Sequence, residues 1–198
     1  MQDEYTKEVK TKSKFLASLY ETLESVVFAI LLVLFIFTFL AKLSVVEGDS
    51  MYPTLTHADY LVVSNPFFSY EPEAGDIVVV QTAKHPEGAI VKRVIATENQ
   101  KVKLKYNYPF DGSFKIYIFQ DNDYVYVDEG YAYYGSKLSI IPSQYEYIYE
   151  VPEGEVFVLG DNRNISLDSR TFGCVKESEI LGKVVFRLLP LQKMKAIK

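Results

Sequence analysis

Two residues in this chain have types and surroundings that would support catalysis. Ser50 lies in the run Gly-Asp-Ser-Met-Tyr-Pro-Thr-Leu at residues 48–55, shortly after an uncharged apolar stretch. Lys92 lies in the run Ile-Val-Lys-Arg-Val-Ile at residues 90–95, among branched apolar residues. A serine hydroxyl beside a neutral lysine amine is one way to build a nucleophile without histidine. The two residues together therefore predict a Ser-Lys hydrolytic site.

The pattern around Lys92 favours a lowered pKa. In a strand, Ile90, Lys92 and Val94 point to the same face, so both neighbours of the lysine on that face are apolar. Burial disfavours the ammonium form, and a pKa of about 7–8 is within the range that buried lysines reach. A lysine in a strand also commonly lies at a sheet edge and points to water, and this alternative stays open here.

The residues around Ser50 fit either a catalytic turn or an ordinary one. Gly48 would let the backbone approach closely, and Pro53 would stiffen the chain after the serine. The Ser50 amide would then face a developing oxyanion. In the alternative, the segment is a plain turn in which Thr54 bonds locally.

A dense polar run at residues 160–173 directly follows the apolar residues 156–159. Asp168 and Arg170 predict a bidentate ion pair that fixes the geometry of a loop. Ser166 would supply a hydroxyl that orients the lysine amine. A solvated charged turn is the alternative for this composition.

The elements that must position these residues begin with a segment of membrane length. Residues 25–42 predict a transmembrane anchor, because 25–41 carry no charge and about 17 to 25 apolar residues span a bilayer. Residues 1–24 contain four lysines, against Lys42 alone just beyond the apolar stretch. Since Lys and Arg set orientation, we expect a cytoplasmic N-terminal segment and an extracytoplasmic remainder in the cell membrane. A cleaved signal peptide and a buried core helix are the alternatives.

The rest of the chain is expected to be mainly β, since short apolar runs alternate with turn residues. Residues 43–100 and 151–198 predict one catalytic β domain. Residues 101–150 contain eleven of the 16 tyrosines and no arginine, and they predict an inserted small β subdomain. The predicted strands cover residues 43–46, 60–64, 76–81, 90–96, 114–119, 124–127, 155–159 and 184–188.

Composition excludes several classes of function. The formal net charge of −5, with no basic stripe, argues against a nucleic-acid partner. Cys174 is the single cysteine, so a disulfide within the chain and a cysteine-based zinc site are excluded. His57 and His85 are the two histidines, too few for a histidine-rich metal site. These counts argue against a metal site of either kind.

Four segments of the chain resemble the successive boxes of bacterial type I signal peptidases, in that family's order and behind an N-terminal anchor. The segments are residues 48–55, the run Gly-Asp-Ile-Val-Val at 75–79, residues 91–95 and residues 160–173. The resemblance covers about residues 26–198. It implies an antiparallel β catalytic domain and a membrane-bound serine endopeptidase that removes signal peptides from exported preproteins after small-x-small sites. The implied partners are those signal peptides and the lipid bilayer, and no metal or organic cofactor is implied.

The resemblance also implies roles for individual residues. Ser50 would be the nucleophile and Lys92 the neutral general base. Gly48 stands where some relatives have an oxyanion-hole serine, so the hole would depend on the Ser50 backbone amide. The implied supporting residues in the last box are Ser166, Asp168 and Arg170.

The chain departs from the family pattern at residues 96–100, where Ala-Thr-Glu-Asn-Gln replaces the usual glycine and Pro-Gly-Asp turn. Two other classes of serine hydrolase are alternatives to a signal peptidase. A Ser-His-Asp peptidase would need His57 or His85 beside Ser50, and a self-cleaving repressor of the SOS type is opposed by the anchor. A further alternative is a non-catalytic or specialised assembly or chaperone paralogue that acts on secreted or pilus-type proteins.

Overall fold

A long N-terminal helix precedes two β-sheets in the computed structural model of this chain. The chain divides into two compact units, Met1–Ala41 and Lys42–Lys198. The first unit contains helix α1, Gln2–Phe35, and a π-helical turn, Ile36–Leu40. The structure describes residues 2–65, 70–107, 112–135 and 143–197.

The apolar part of this helix is long enough to cross a bilayer. It covers Ser18–Leu40, 23 residues whose large apolar side chains are exposed. At about 1.5 Å per residue such a stretch reaches about 35 Å, more than the roughly 30 Å of a hydrocarbon core. It overlaps the anchor expected at residues 25–42 but begins earlier, because two glutamates do not outweigh the apolar residues around them. It also ends earlier, since residues 41–45 form a strand.

The described part of the chain forms twelve strands and a short second helix, α2, at Ser169–Phe172. The strands are β1 Ala41–Val45, β2 Tyr60–Ser64, β3 Ile77–Val80, β4 Ile90–Ala96, β5 Lys101–Tyr106, β6 Phe114–Gln120, β7 Asp123–Val127, β8 Glu146–Glu150, β9 Glu155–Leu159, β10 Val175–Lys176, β11 Ile180–Leu189 and β12 Lys195–Ala196.

The larger sheet has eight strands in the order β1-β2-β11-β3-β4-β9-β10, with β12 paired to β11. All strand pairs from β2 to β10 along this order are antiparallel. Strand β4 therefore lies in the interior of the sheet, with β3 on one side and β9 on the other. This position decides the environment of Lys92.

The smaller sheet has the antiparallel order β7-β6-β5-β8 and packs on the larger one. Its buried face alternates along each strand, as in Val102 and Leu104 of β5 and Ile116 of β6. These side chains share one core with Phe157 and Leu159 of β9. The smaller sheet thus lies against the strand that leads into the polar run.

The predicted fold class, mainly β with antiparallel sheets behind one apolar N-terminal helix, is confirmed. The predicted strands at 60–64, 90–96 and 155–159 match β2, β4 and β9 at both ends. The other five overlap observed strands with shifted ends. Four strands were not predicted: β5, β8, β10 and β12.

Candidate active site

Lys92 is buried in the middle of the larger sheet. It lies on β4 opposite Val78 of β3, and only 3% of the residue is exposed. The alternative of a solvent-facing edge lysine is therefore wrong. Burial lowers the pKa of Lys92 from 10.5 to about 8, although the charges of Asp168 and Asp161 act in the opposite direction.

The Lys92 amine meets the Ser50 hydroxyl. Lys92 Nζ lies 2.8 Å from Ser50 Oγ, so the two groups are within hydrogen-bond distance across 42 residues of sequence. When the amine is neutral it has a lone pair, and it can accept the hydroxyl proton. This geometry can generate a serine nucleophile.

The turn that carries Ser50 is held by apolar and backbone contacts. Met51 and Leu55 are buried in the core beside it, and the Leu55 amide donates to the Met51 carbonyl. From the polar run, the Asn162 amide donates to the Ser50 carbonyl at 2.9 Å. The Asn162 side-chain amide donates to the Asp49 carbonyl at 3.2 Å. The serine backbone is therefore fixed on both sides.

The sequence interpretation assigns the Ser50 amide to an oxyanion hole. Within the described ranges no carbonyl or side chain accepts a hydrogen bond from it. Gly48 has a positive φ of 79°, which a residue without Cβ adopts at no steric cost. The Gly48 amide donates to His57 Nδ1 at 3.2 Å. His57 thus bonds to the turn backbone and not to the serine hydroxyl, against a Ser-His-Asp site.

The polar run at residues 160–173 is folded inward rather than solvated. Asp168 and Arg170 form the expected bidentate pair, with Arg170 Nε 2.8 Å from one carboxylate oxygen and Nη2 2.9 Å from the other. Asp168 also accepts from the Gly160 amide at 3.1 Å. Arg170 Nη2 donates to the Ser166 carbonyl. Both side chains of the pair are almost fully buried, so the solvated-turn alternative is wrong.

Ser166 lies at the site but does not make the expected contact. The residue is fully buried, and its hydroxyl has no hydrogen-bond partner among the described residues, Lys92 included. It lies against Gly160, where a Cβ would overlap both the Ser166 hydroxyl and the Ser50 carbonyl oxygen. Ser166, Gly160 and Ser50 therefore converge without a side chain between them.

Two further buried ion pairs support the run, and the sequence interpretation missed both. Arg93 makes two hydrogen bonds to Asp161, at 2.9 and 2.8 Å. Arg163 makes two to Glu129, at 2.7 and 2.5 Å. Thr54 also donates to Asp161. The position of Arg93 next to Lys92 in an apolar strand was a usable signal for the first pair. No local signal marks Glu129.

A pocket of about 280 Å³ opens beside the Ser50 hydroxyl. Branched apolar residues from three strands line it, together with the exposed carboxylates of Glu47 and Glu87. The apolar lining residues are Val45 of β1, Val79 of β3, Ile90 and Val91 of β4, and Ala89 just before that strand. Across the described ranges, no group of three or more His, Cys, Asp or Glu side chains is placed to hold a metal ion.

Comparison with known proteins places these features in context. The family model described as signal peptidase, peptidase S26, matches residues 19–189. "Probable signal peptidase I-1" of Synechocystis sp. is 32% identical over 191 residues, which cover 87% of this chain and 84% of that protein. "Signal peptidase IB" of Staphylococcus aureus is 30% identical over 197 residues, covering 89% and 93%. A crystal structure of a signal peptidase I from Enterococcus faecalis is 27% identical, with a TM-score of 0.41, and covers 58% of this chain and 97% of that one.

Proposed function

This chain belongs to the signal peptidase family, peptidase S26, and we propose that Ser50 and Lys92 carry out its reaction. Members of this family are serine endopeptidases that remove signal peptides. The observation that carries the proposal is the 2.8 Å separation of Lys92 Nζ from Ser50 Oγ. With a pKa of about 8, roughly one Lys92 amine in ten is neutral at pH 7. A general base of this strength is suited to physiological pH.

The first half of the reaction is acyl transfer to the serine. Neutral Lys92 takes the proton from Ser50 Oγ while that oxygen attacks the carbonyl carbon of the scissile bond. The Ser50 amide donates to the oxyanion that forms. The Lys92 ammonium then gives its proton to the leaving amine, the C–N bond breaks, and the signal peptide remains as an ester on Ser50.

The second half is hydrolysis of that ester. Lys92 is neutral again and takes a proton from a water molecule, whose oxygen attacks the ester carbonyl. The ester bond breaks, the proton returns to Ser50 Oγ, and the signal peptide leaves with a free carboxylate. The negative charges of Asp168 and Asp161 favour the Lys92 ammonium in each half. They therefore help the base to accept its proton although it is buried.

The pocket supports selection of small side chains at the cleavage site. Val45, Val79 and Val91 line it, and their branched side chains leave limited room next to Ser50. An extended peptide would place alternate side chains toward the same wall, which fits a small-x-small pattern. We therefore propose cleavage after Ala-x-Ala-like sequences of exported preproteins.

The N-terminal helix supports attachment of the enzyme to the bilayer. Ser18–Leu40 has the length and composition of a single membrane span. The lysines that precede it favour a cytoplasmic N-terminus, which would leave the catalytic unit on the extracytoplasmic side. The signal peptides of preproteins are anchored in the same bilayer in this proposal. The contact between Ser50 and Lys92 favours an enzyme over the alternative of a non-catalytic assembly or chaperone paralogue.

The proposal is tested with detergent-solubilised protein and a preprotein that carries an Ala-x-Ala site. We expect the wild-type protein to release the signal peptide, and Ser50→Ala and Lys92→Ala to be inactive. Lys101→Ala is the matched control, because Lys101 is exposed on β5 and pairs with Glu150 away from the site. A second preprotein with Phe in place of the last Ala should not be cut. Full activity of Lys92→Ala would exclude the mechanism.

A further inference from the structure

Glu129, in the segment after β7, holds a fully buried arginine of the polar run. Arg163 Nη1 and Nη2 donate to the two carboxylate oxygens of Glu129 at 2.7 and 2.5 Å. The Arg163 side chain is 0% exposed and that of Glu129 is 7% exposed. A guanidinium buried this deeply needs a partner that neutralises it, and removal of the partner leaves an uncompensated charge in the interior.

The backbone next to Glu129 is paired with the same run. The Tyr133 amide donates to the Asp161 carbonyl at 2.7 Å, and the Arg163 amide donates to the Tyr133 carbonyl at 2.9 Å. These two bonds form a short parallel bridge centred on Asn162. Residues 129–133 therefore hold residues 161–163 by main-chain and side-chain contacts together.

A third contact from the same segment is made with Arg93 of β4. The ring of Tyr131 lies under the Arg93 guanidinium, with Cζ 3.9 Å from the ring centroid. The Tyr131 hydroxyl donates to Glu129 Oε1 at 2.9 Å. Arg93 is the residue after Lys92 on β4, so the same segment touches the strand that carries the amine.

The run passes these contacts on to the serine. Arg163 Nε donates to the Gly160 carbonyl at 3.1 Å, and Gly160 lies directly against the Ser50 carbonyl. The Asn162 amide donates to that same Ser50 carbonyl. Glu129 is thus connected to the backbone of Ser50 through Arg163 and then through residues 160–162.

We propose that Glu129 is a positioning residue for the Ser50–Lys92 pair and acts through Arg163. It does not touch either reacting group. Its carboxylate fixes the arginine, the arginine fixes residues 160–163, and these hold the Ser50 backbone at the distance that Lys92 needs. The inference rests on the proposed function, because positioning has a catalytic meaning only if Ser50 and Lys92 react. It gives the inserted region at 101–150 an indirect part in the site, through Arg163.

The kinetic test compares Glu129→Gln with Glu150→Gln in the full-length, detergent-solubilised protein. Glu150 is the matched control, since it also pairs with a basic residue of the region but its side chain is 70% exposed. We expect Glu129→Gln to lower kcat by about 10- to 100-fold with KM changed by less than about threefold, as for a loss of alignment. Glu129→Asp, which keeps the charge, should recover part of kcat. Glu150→Gln should match the wild type.

The pH profile separates positioning from general stability. If residues 160–163 loosen, water reaches Lys92 and its pKa rises toward the ordinary value, so the acid limb of kcat/KM moves to higher pH in Glu129→Gln. A variant that merely unfolded in part would lose activity equally at every pH. A proportional loss of this kind, or a wild-type kcat, would overturn the inference.

Hydrogen exchange tests the same inference without catalysis. In Glu129→Gln the amides of Asn162, Arg163 and Tyr133 should exchange about tenfold faster or more, while those of β11 keep wild-type protection. Uniform loss of protection over both regions, or none in either, would contradict it. If the wild-type protein cleaves no preprotein, the proposed function fails, and the exchange data still decide whether Glu129 holds the run.

Discussion

Charged residues of the same types occur in the polar run at residues 160–173 and on the outer face of the smaller sheet. They are buried in the run and partly exposed on the sheet. In the run, Asp168 and Arg170 are buried and bond to each other twice. On the smaller sheet, Lys105 and Glu146 face each other across β5 and β8, and 43% of each side chain is exposed. Water solvates and screens the second pair, so the attraction between its charges is weak. Burial, rather than residue type, therefore decides how strongly the charged groups of this molecule interact.

Lys92→Met should produce the largest difference between the two regions. Without the amine no base lies next to Ser50, and we expect kcat for preprotein cleavage to fall by at least about 10,000-fold. Lys105→Met, which removes a lysine of the outer face, should leave kcat unchanged. Signal-peptide release measured by gel shift or mass spectrometry checks both variants. Comparable activity of the two would mean that the buried lysine has no special role in cleavage.

Asp168→Asn should have the next largest effect, this time on folding. It leaves the Arg170 guanidinium buried without its counter-charge, and we expect the free energy of unfolding to fall by about 3–5 kcal/mol. The charge of Asp168 also raises the Lys92 pKa. Any residual cleavage should therefore have an acid limb at lower pH than in the wild type. Chemical denaturation and a pH-rate profile measure the two effects, and an unchanged midpoint of unfolding would contradict the first.

Stability should depend on pH through Lys92 in a direction opposite to that of most lysines. Its folded-state pKa of about 8 lies below 10.5, so the folded chain binds fewer protons than the unfolded chain between these values. The resulting cost, about 3 kcal/mol, is fully present below pH 8 and is relieved as the pH rises toward 10.5. Lys92→Met removes this cost.

The measurement is denaturant unfolding of both proteins at pH 7 and pH 10. Lys92→Met, although inactive, should be the more stable protein at pH 7, by up to about 3 kcal/mol, and the advantage should shrink at pH 10. An advantage that grows with pH would mean that the amine is charged and stabilised in the folded chain. That result would also remove the general base.

The smallest effect is expected for the exposed pair itself. Glu146→Gln removes one charge from a half-exposed ion pair, and we expect a change of less than about 1 kcal/mol in the free energy of unfolding. Raising the ionic strength should abolish even this difference, whereas the effect of Asp168→Asn should persist. A large decrease in the free energy of unfolding for Glu146→Gln would mean that this ion pair is less accessible to water than its exposed fraction indicates.

The sequence sufficed where the relevant pattern is local. Lys92 was recognised because its neighbours on the strand are apolar, and three strand predictions matched at both ends because branched residues and turn residues bound them. The pair of Asp168 and Arg170 was predictable because only Ser169 lies between them. Strands β5 and β8 were missed since their alternating lysines and glutamates become favourable only when paired across the sheet.

The remaining features depend on contacts between distant parts of the chain. Glu129 has no distinguishing neighbours, and its pairing with Arg163 exists only once the smaller sheet has packed. For Ser166, the sequence interpretation expects a contact between the hydroxyl and Lys92 that the structure does not show, because the direction of one side chain follows from packing around Gly160. Local patterns thus indicate the candidate reacting groups, while tertiary packing determines what supports them.

The absence of a Cβ atom at Gly160 affects how constant the geometry of the site is over time. Because two chain segments touch there through main-chain atoms alone, their spacing is independent of rotamer exchange, which in side chains proceeds on the picosecond to nanosecond scale. In the proposed function, the backbone that carries the nucleophile is therefore held at this point by main-chain atoms.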